Sequence, residues 1–378
     1  MLMKKIGLYV HIPFCNSKCN YCDFGSHVAD YKEKSRYLSA LKKEISLQKE
    51  RTDIDSYEVD TVFIGGGTPT SLSEDLLFDL LHTLKSSFNI AQNAESTIEM
   101  NPNSVTESKI DIIASSFINR VSIGLQSADE NELKLLGRTH SLADFDKTCK
   151  MLRKHGIKNI NADLIMGLPG QKQTDFARTL ETVLSYNIEH ISAYMLIIEE
   201  GTPFYNMCKN GLITVDEEET LKIYEYTVDE LAKRGYGQYE ISNFAKKGKR
   251  CAHNIKYWTD KEYIGIGGFA ASYFGGYRYK NAEDDYVSIV NTGKLPIIEK
   301  EISTQKMRYE ERIFLGLRMT DGIDIDKINV DFGIDFEKKY EKQLAKIFDL
   351  GLIRIHDGKL SLTLKGIEVS NRVFLEFI

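Results

Sequence analysis

The sequence predicts an α/β protein: a core of six strand–helix units followed by a smaller α+β domain. Three observations predict it. Short apolar runs alternate with stretches of helical spacing from Gly7 to Ile197. Nearly every apolar run ends on a glycine-, proline- or cysteine-bearing segment. After residue 235 the alternation stops, and the last 75 or so residues read as helix, helix and hairpin.

The strands are expected at Gly7–Ile12, Thr61–Ile64, Ser96–Met100, Val121–Leu125, Asn161–Met166 and His190–Ile197. Helices are expected over Tyr31–Lys49, from Ser73 onward, and over 130–155, 173–186 and 217–234. Ser73 is a suitable N-cap, with Glu74 and Asp75 in the first turn to meet the helix dipole. Strands in this alternation form parallel βαβ units. The pattern is compatible with a closed barrel, a partial barrel or a doubly wound sheet. In each, the functional loops follow the carboxyl ends of the strands.

Residues 236–281 are rich in glycine and tyrosine and are expected to be irregular or antiparallel. Beyond 304, helices are expected near 308–318 and 335–349, then a hairpin over 352–360 with the turn Asp357-Gly358, then a last helix. That order is winged-helix-like. The expected divisions are 1–235, 236–300 and 301–378.

Composition narrows the class. The 378 residues are 42% apolar and 28% charged, enough for a sizeable core and too apolar for disorder. The net charge of −6 argues against nucleic acid as a partner. The opening Met1-Leu2-Met3-Lys4-Lys5 runs into a short apolar stretch that is no secretory leader, and no membrane span is expected. A cytoplasmic protein is the expectation. Three of the six cysteines fall within eight residues, which reads as a metal site rather than a secreted disulfide framework.

Those three, Cys15, Cys19 and Cys22, follow the first strand. Three thiolates on one loop are one short for a closed zinc site or a fully ligated iron–sulfur cluster. Zinc would need His11 or His27 as a fourth ligand; a cluster would keep one iron open. Gly65-Gly66-Gly67-Thr68-Pro69 follows the second strand and suits close backbone approach. No Gly-Lys-Ser/Thr follows, so it is no phosphate loop.

The spacing Cys15-x-x-x-Cys19-x-x-Cys22, with Tyr21 before the third cysteine, resembles the signature of the radical SAM superfamily. The resemblance implies a partial (β/α)6 radical SAM barrel. It implies a 4Fe–4S cluster on the three cysteines, with S-adenosylmethionine (SAM) chelating the fourth iron. It also implies an electron donor such as flavodoxin or ferredoxin. The likeness continues to the HemN/HemW branch through His11-Ile12-Pro13-Phe14-Cys15, Gly65–Thr70, Glu99-Met100-Asn101-Pro102, Gly124–Ser127, Leu136–His140 and Asp163–Gly170. As the branch implies, Tyr9, Tyr21, Phe24, Gly66, Gly67, Thr68, Glu99, Gln126, Arg138 and Asp163 would line the SAM site. Arg138 suits a carboxylate, and Glu99 or Asp163 an ammonium or ribose hydroxyls.

Two functions divide that branch. The oxygen-independent coproporphyrinogen III dehydrogenases carry a fourth cysteine two residues after the third, where this chain has Phe24, and a long arm before the cysteines, where this chain has fourteen residues. The segment His253-Asn254-Ile255-Lys256-Tyr257-Trp258 resembles the HNxxYW motif of the haem chaperones. It implies His253 as a haem ligand, Tyr257 and Trp258 packing the porphyrin, and an acceptor haemoprotein as partner. Cys251 is either a second soft ligand or a buried thiol. Tyr194 faces a cavity or the core, and Gly265–Ser272 is expected to close a cavity floor. Cys149 and Cys208 carry no expected role.

Overall fold

The structure, a computed structural model, describes residues 3–378. Met1 and Leu2, with which the expected first division begins, lie outside the described residues. The six expected strands are all present and parallel: β1 (Lys4–Ile12), β2 (Tyr57–Gly66), β3 (Ile90–Met100), β4 (Arg120–Gln126), β5 (Asn159–Met166) and β6 (His190–Met195). Helices α1 (Tyr31–Arg51), α2 (Glu74–Ser87), α3 (Glu107–Ala114), α4 (Glu130–Leu135), α5 (Leu142–Lys154), α6 (Gln173–Ser185), α7 (Pro203–Lys209) and α8 (Glu217–Lys233) connect or follow them.

Helix starts follow their caps. The Asp30 carboxylate accepts from Glu33 N–H, and Ser141 and Asp144 form a capping box at α5. One expected helix over 130–155 is in fact two. Gly137, at φ 72°, ends the first, and the intervening turn carries Arg138, whose Nε donates to the buried His140 ring.

The segment after 235 extends this sheet at both edges. β7 (Gly237–Glu240) and β8 (Asn243–Ala245) pair antiparallel beyond β6. After α9 (Ala252–Trp258), β9 (Tyr263–Ile266) lies parallel to β1. β10 (Ala271–Phe274), β11 (Tyr277–Asn281) and, after α10 (Tyr286–Asn291), β12 (Ile297–Ile302) complete that edge. The strand order β12-β11-β10-β9-β1-β2-β3-β4-β5-β6-β8-β7 does not close on itself. The barrel is therefore partial.

Strand alternation explains the two faces. Ile6, Leu8, Val10 and Ile12 of β1 and Val121, Ile123 and Leu125 of β4 are fully buried, within one apolar core shared with the helices. The residues between them face the concave side, which is polar: Thr61, Thr97, Arg120, Ser122, Asn161, His190 and Ser192 are all buried there. Only two-residue periodicity separates these sets.

The C-terminal unit comprises α11 (Gln305–Gly316), β13 (Ile323–Asp324), α12 (Ile325–Phe332), α13 (Phe336–Lys339), α14 (Glu341–Asp349), β14 (Ile353–His356), β15 (Lys359–Leu362), α15 (Leu364–Glu368) and α16 (Ser370–Phe374). Its sheet order β13-β15-β14 is winged-helix-like. The Asp357-Gly358 turn has φ 50° and 71°, the left-handed pair that such a hairpin requires. Helix α12 escaped the sequence reading; it ends on Gly333 at φ 64° after only eight residues. The domain has its own apolar core around Ile313, Phe336, Leu360 and Val373. Truncating Phe336, fully buried against Tyr340 and Phe377, should destabilise the unit by about 3–5 kcal/mol. Hydrogen exchange should show loss of protection across 304–377.

Candidate functional site

The cysteine loop leaves β1 and is fixed at several points. Its ends are pinned by Cys15 N–H to His27 O and His27 N–H to Pro13 O, both at 2.9 Å. Lys18 Nζ donates to the carbonyls of Phe24 (2.7 Å) and Ser26 (3.1 Å). Asn20 ties the loop to the turn after α4, donating to Leu135 O and Leu136 O.

The glycine segment packs directly on this loop. Gly67 N–H donates to Ile12 O (2.9 Å) and Thr68 N–H to Phe14 O (2.7 Å). A Cβ on Gly67 would lie 2.7 Å from Phe14 O, one on Gly66 (φ 105°) 2.6 Å from the His11 ring, and one on Gly65 2.6 Å from Glu99 Oε2. The glycines are needed because protein packs on protein here.

The cleft formed at the strand ends is lined by Cys15, Cys19, Cys22, Tyr21, Phe24, Gly66, Gly67, Thr68, Glu99, Gln126, Arg138 and Asp163. Of the residues expected at the SAM site, only Tyr9 is absent from it. Tyr9 lines the adjacent cavity and donates its hydroxyl to His11 Nδ1 (2.9 Å). The sequence reading missed Lys18, Asn101 and Ser122, which also line the cleft. Ser122 was findable: it lies two residues before Gly124, on the same face of β4. A larger hollow of 940 Å³ lies at the opposite ends of the strands, between α2 and α3, and gathers no comparable chemistry.

Electrostatics complete the cleft. Burial, with Asp163 beside it, pushes Glu99 up to about 8, although Gly66 N–H donates to it at 3.2 Å. Burial likewise raises Asp163, which accepts from Asn161 Nδ2 (2.7 Å) and Ser122 Oγ (3.1 Å). Two such carboxyls want a cation between them. Opposite, Arg138 donates to Gly124 O and sits 3.5 Å from Cys19 Sγ.

These groups fit an open iron–sulfur cluster and SAM. All six cysteines are free thiols. Among the described residues no three His, Cys, Asp or Glu side chains are gathered as around a single ion, whereas thiolates on a cluster bind separate irons. The two candidate zinc histidines are otherwise engaged. His11 donates from Nε2 to Gly25 O (2.9 Å), and His27 Nε2 is 2.7 Å from Glu33 Oε1. Arg138 offers the cleft a cation, and Glu99 and Asp163 offer it two buried carboxyls.

A second cavity of 770 Å³ adjoins the cleft and shares Phe24, Gly66 and Glu99 with it. Its other walls include Tyr257, Trp258, Tyr263, Phe269, Arg278 and, from α11, Phe314. Phe269 and Ala271 show that Gly265–Ser272 does wall a cavity. His253 does not reach it. That ring is fully buried and stacked on Phe63, and both nitrogens are bonded: Nδ1 to Thr61 Oγ1 (2.9 Å) and Nε2 to Tyr257 OH (2.8 Å). Burial pushes it down to about 3. Cys251 is buried, with its thiol pushed up to about 12 by that burial. Tyr194 is 41% exposed, so it is not a core residue.

The sequence profile of the radical SAM superfamily matches residues 9–183, and that of the HemN C-terminal domain matches 304–369. The chain is 36% identical to "Heme chaperone HemW" of Lactococcus lactis, over all of this chain and 98% of the relative. It is 34% identical to the protein of the same name in Bacillus subtilis, over 98% of each. The chain belongs to the HemW family of the radical SAM superfamily. A solved structure described as "Coproporphyrinogen III oxidase (HemN) from Escherichia coli is a Radical SAM enzyme" superposes with a TM-score of 0.87. At 23% identity, over 99% of this chain and 90% of that one, it shows the shared fold. This HemW-family chain has, among its described residues, no helix long and apolar enough to cross a membrane.

Two outcomes follow from the geometry. Gly67→Ala should push the glycine segment off the cysteine loop; the reconstituted protein should bind less iron and sulfide while keeping its far-UV spectrum. The second concerns Glu44 on α1, which anchors the wall loop. Its carboxylate accepts from Gly267 N–H (2.8 Å), Tyr286 OH (2.6 Å) and Asn281 Nδ2 (2.7 Å). Burial outweighs these bonds and pushes Glu44 from 4.5 to about 7. The native state thus holds an extra proton between those values. The group's contribution is most favourable below about 4.5 and declines as pH rises through 7, by on the order of 3 kcal/mol. Relative to Glu44→Gln, the native protein should lose stability over that window in denaturant titrations.

Proposed function

We propose that the chain binds haem in the aromatic cavity and passes it to an acceptor haemoprotein. In this reading Cys15, Cys19 and Cys22 hold a 4Fe–4S cluster, and Glu99, Gln126, Arg138 and Asp163 hold SAM at its open iron. The observation that carries the reading is the shared wall of Phe24, Gly66 and Glu99, which sets an aromatic cavity beside the cysteine cleft. Family membership and the name of the relatives support haem as the ligand.

Tyr257, Trp258 and Tyr263 offer faces for a porphyrin. Arg278 and Lys280, held by Glu311 and Glu283, offer cations for its carboxylates. The expected His253 contact is compatible with this reading only indirectly, because its ring lies behind Tyr257. A cluster and SAM held by these residues would supply one-electron chemistry to the cleft when bound. The protein's own share is to fix the three thiols, to balance charge around SAM, and to hold Arg138 in place through Gly124 O. Phe24, 65% exposed at the rim, stands where a fourth cysteine would mark the dehydrogenase. An electron donor of flavodoxin or ferredoxin type and a cytoplasmic, reducing location belong to the same proposal.

Anaerobic reconstitution followed by haem titration tests it. The expected result is stoichiometric haem binding and loss of the cluster in each of Cys15→Ala, Cys19→Ala and Cys22→Ala. Absence of haem binding, with turnover of coproporphyrinogen III to protoporphyrinogen, would replace this reading with the dehydrogenase.

A further inference from the structure

We propose that Tyr257 is the iron ligand for ferric haem in this cavity and that His253 is the positioning residue behind it. The inference rests on the haem-binding reading above and goes beyond it by naming the ligand. His253 and Tyr257 lie one turn apart on one face of α9. The imidazole lies 0% exposed behind the phenol, while the phenol is on the cavity wall. For His253 to meet iron, it would have to abandon Thr61, Tyr257 and its stacking on Phe63 together. Tyr257 already lines the cavity. A phenolate is a hard anionic ligand suited to ferric iron, and tyrosine is an established haem ligand type. A hydrogen-bond partner that orients and tunes such a ligand is the usual second element of a metal site.

The cavity contains a rival of similar design. Tyr9 donates to His11 Nδ1 at 2.9 Å. The groups behind the two imidazoles differ. His11 Nε2 faces the Gly25 carbonyl, which can only accept, so His11 is locked with its proton on Nε2. His253 Nδ1 faces the Thr61 hydroxyl, which can either accept or donate. His253 can therefore move from the Nδ1–H to the Nε2–H form as Tyr257 changes from donor to acceptor.

The balance is simple. The iron–oxygen bond forms, the phenolic O–H bond breaks, and one proton is released to solvent. His253 then donates from Nε2 to the phenolate, and the Thr61 hydroxyl turns to donate to Nδ1. Iron remains ferric throughout.

The test uses the full chain with its cluster reconstituted, ferric haem as the probe, and resonance Raman excited in the phenolate-to-iron charge-transfer band. Wild type should show phenolate modes. Tyr257→Phe, which removes one oxygen and little volume, should lose them and bind haem more weakly. Tyr9→Phe should keep them. His253→Ala should keep them while weakening haem binding roughly 10- to 100-fold. Because removing a buried ring risks misfolding, Thr61→Val provides a second variant, expected to keep the modes and weaken binding in the same direction. Haem binding with no phenolate modes in wild type, or modes that persist in Tyr257→Phe, overturns the ligand assignment alone. An imidazole-type spectrum lost in His253→Ala and unchanged in Tyr257→Phe returns the role to His253. Wild type that binds no haem overturns both this inference and the reading beneath it.

Discussion

The site depends on one backbone contact, the pair of hydrogen bonds by which Gly67 and Thr68 hold the carbonyls of Ile12 and Phe14. Those bonds join the end of β2 to the start of the cysteine loop. They form only because nothing projects from Gly67, whose Cβ would meet Phe14 O at 2.7 Å. Everything else at the cleft is referred to this seam. Cys15 hangs beside Thr68, His11 crosses over Gly66 to reach Gly25, and Glu99 lies against Gly65. The hydrogen bonds individually contribute about 1 kcal/mol. Their importance is geometric, since they fix where the loop carrying the three thiols stands against the other groups of the cleft.

From that seam two cavities open side by side. One presents thiols, two buried carboxyls and a guanidinium; the other presents aromatic rings and paired cations. Glu99 faces both. Its carboxyl is held near neutrality by burial, so a cation arriving on either side alters its charge most readily. The partition also gives the C-terminal unit a part in the site, because Phe314 and Glu311 of α11 close the outer wall. A winged-helix-like domain thus serves here as a wall.

The concave face of the sheet carries a cost that the fold supports elsewhere. Arg120 lies almost fully buried among strands, and its Nε has no partner. Around it Asn161 links Asp163, Ser122, Ser192 and His190, and His190 continues to Tyr239. Such a network is expensive to bury unless nearly complete. Its completeness fixes Asp163 at the cleft, and Tyr239 meets Cys251 N–H at the start of α9. The floor of one cavity and the wall of the other therefore share a foundation.

Much of this was legible in the sequence because local chemistry determined it. Short apolar runs alternating with helical stretches located six parallel strands, the spacing of Cys15, Cys19 and Cys22 located the cleft, and Asp357-Gly358 located the wing. Residues at strand ends such as Glu99 and Asp163 were findable because parallel sheets place their sites there. What the sequence by itself could not determine was what lies behind what. His253 reads as a ligand in a linear motif, yet β2 brings Thr61 and Phe63 against it and turns it inward. Tyr9 reads as a residue of the cysteine cleft, yet it lines the adjacent cavity beside His11. Arg278 of β11 and Phe314 of α11 are distant in sequence, yet both wall the same cavity. Periodicity reports which face a residue occupies; only tertiary packing decides which neighbour occupies the space beyond it, and at this site that neighbour decides the role.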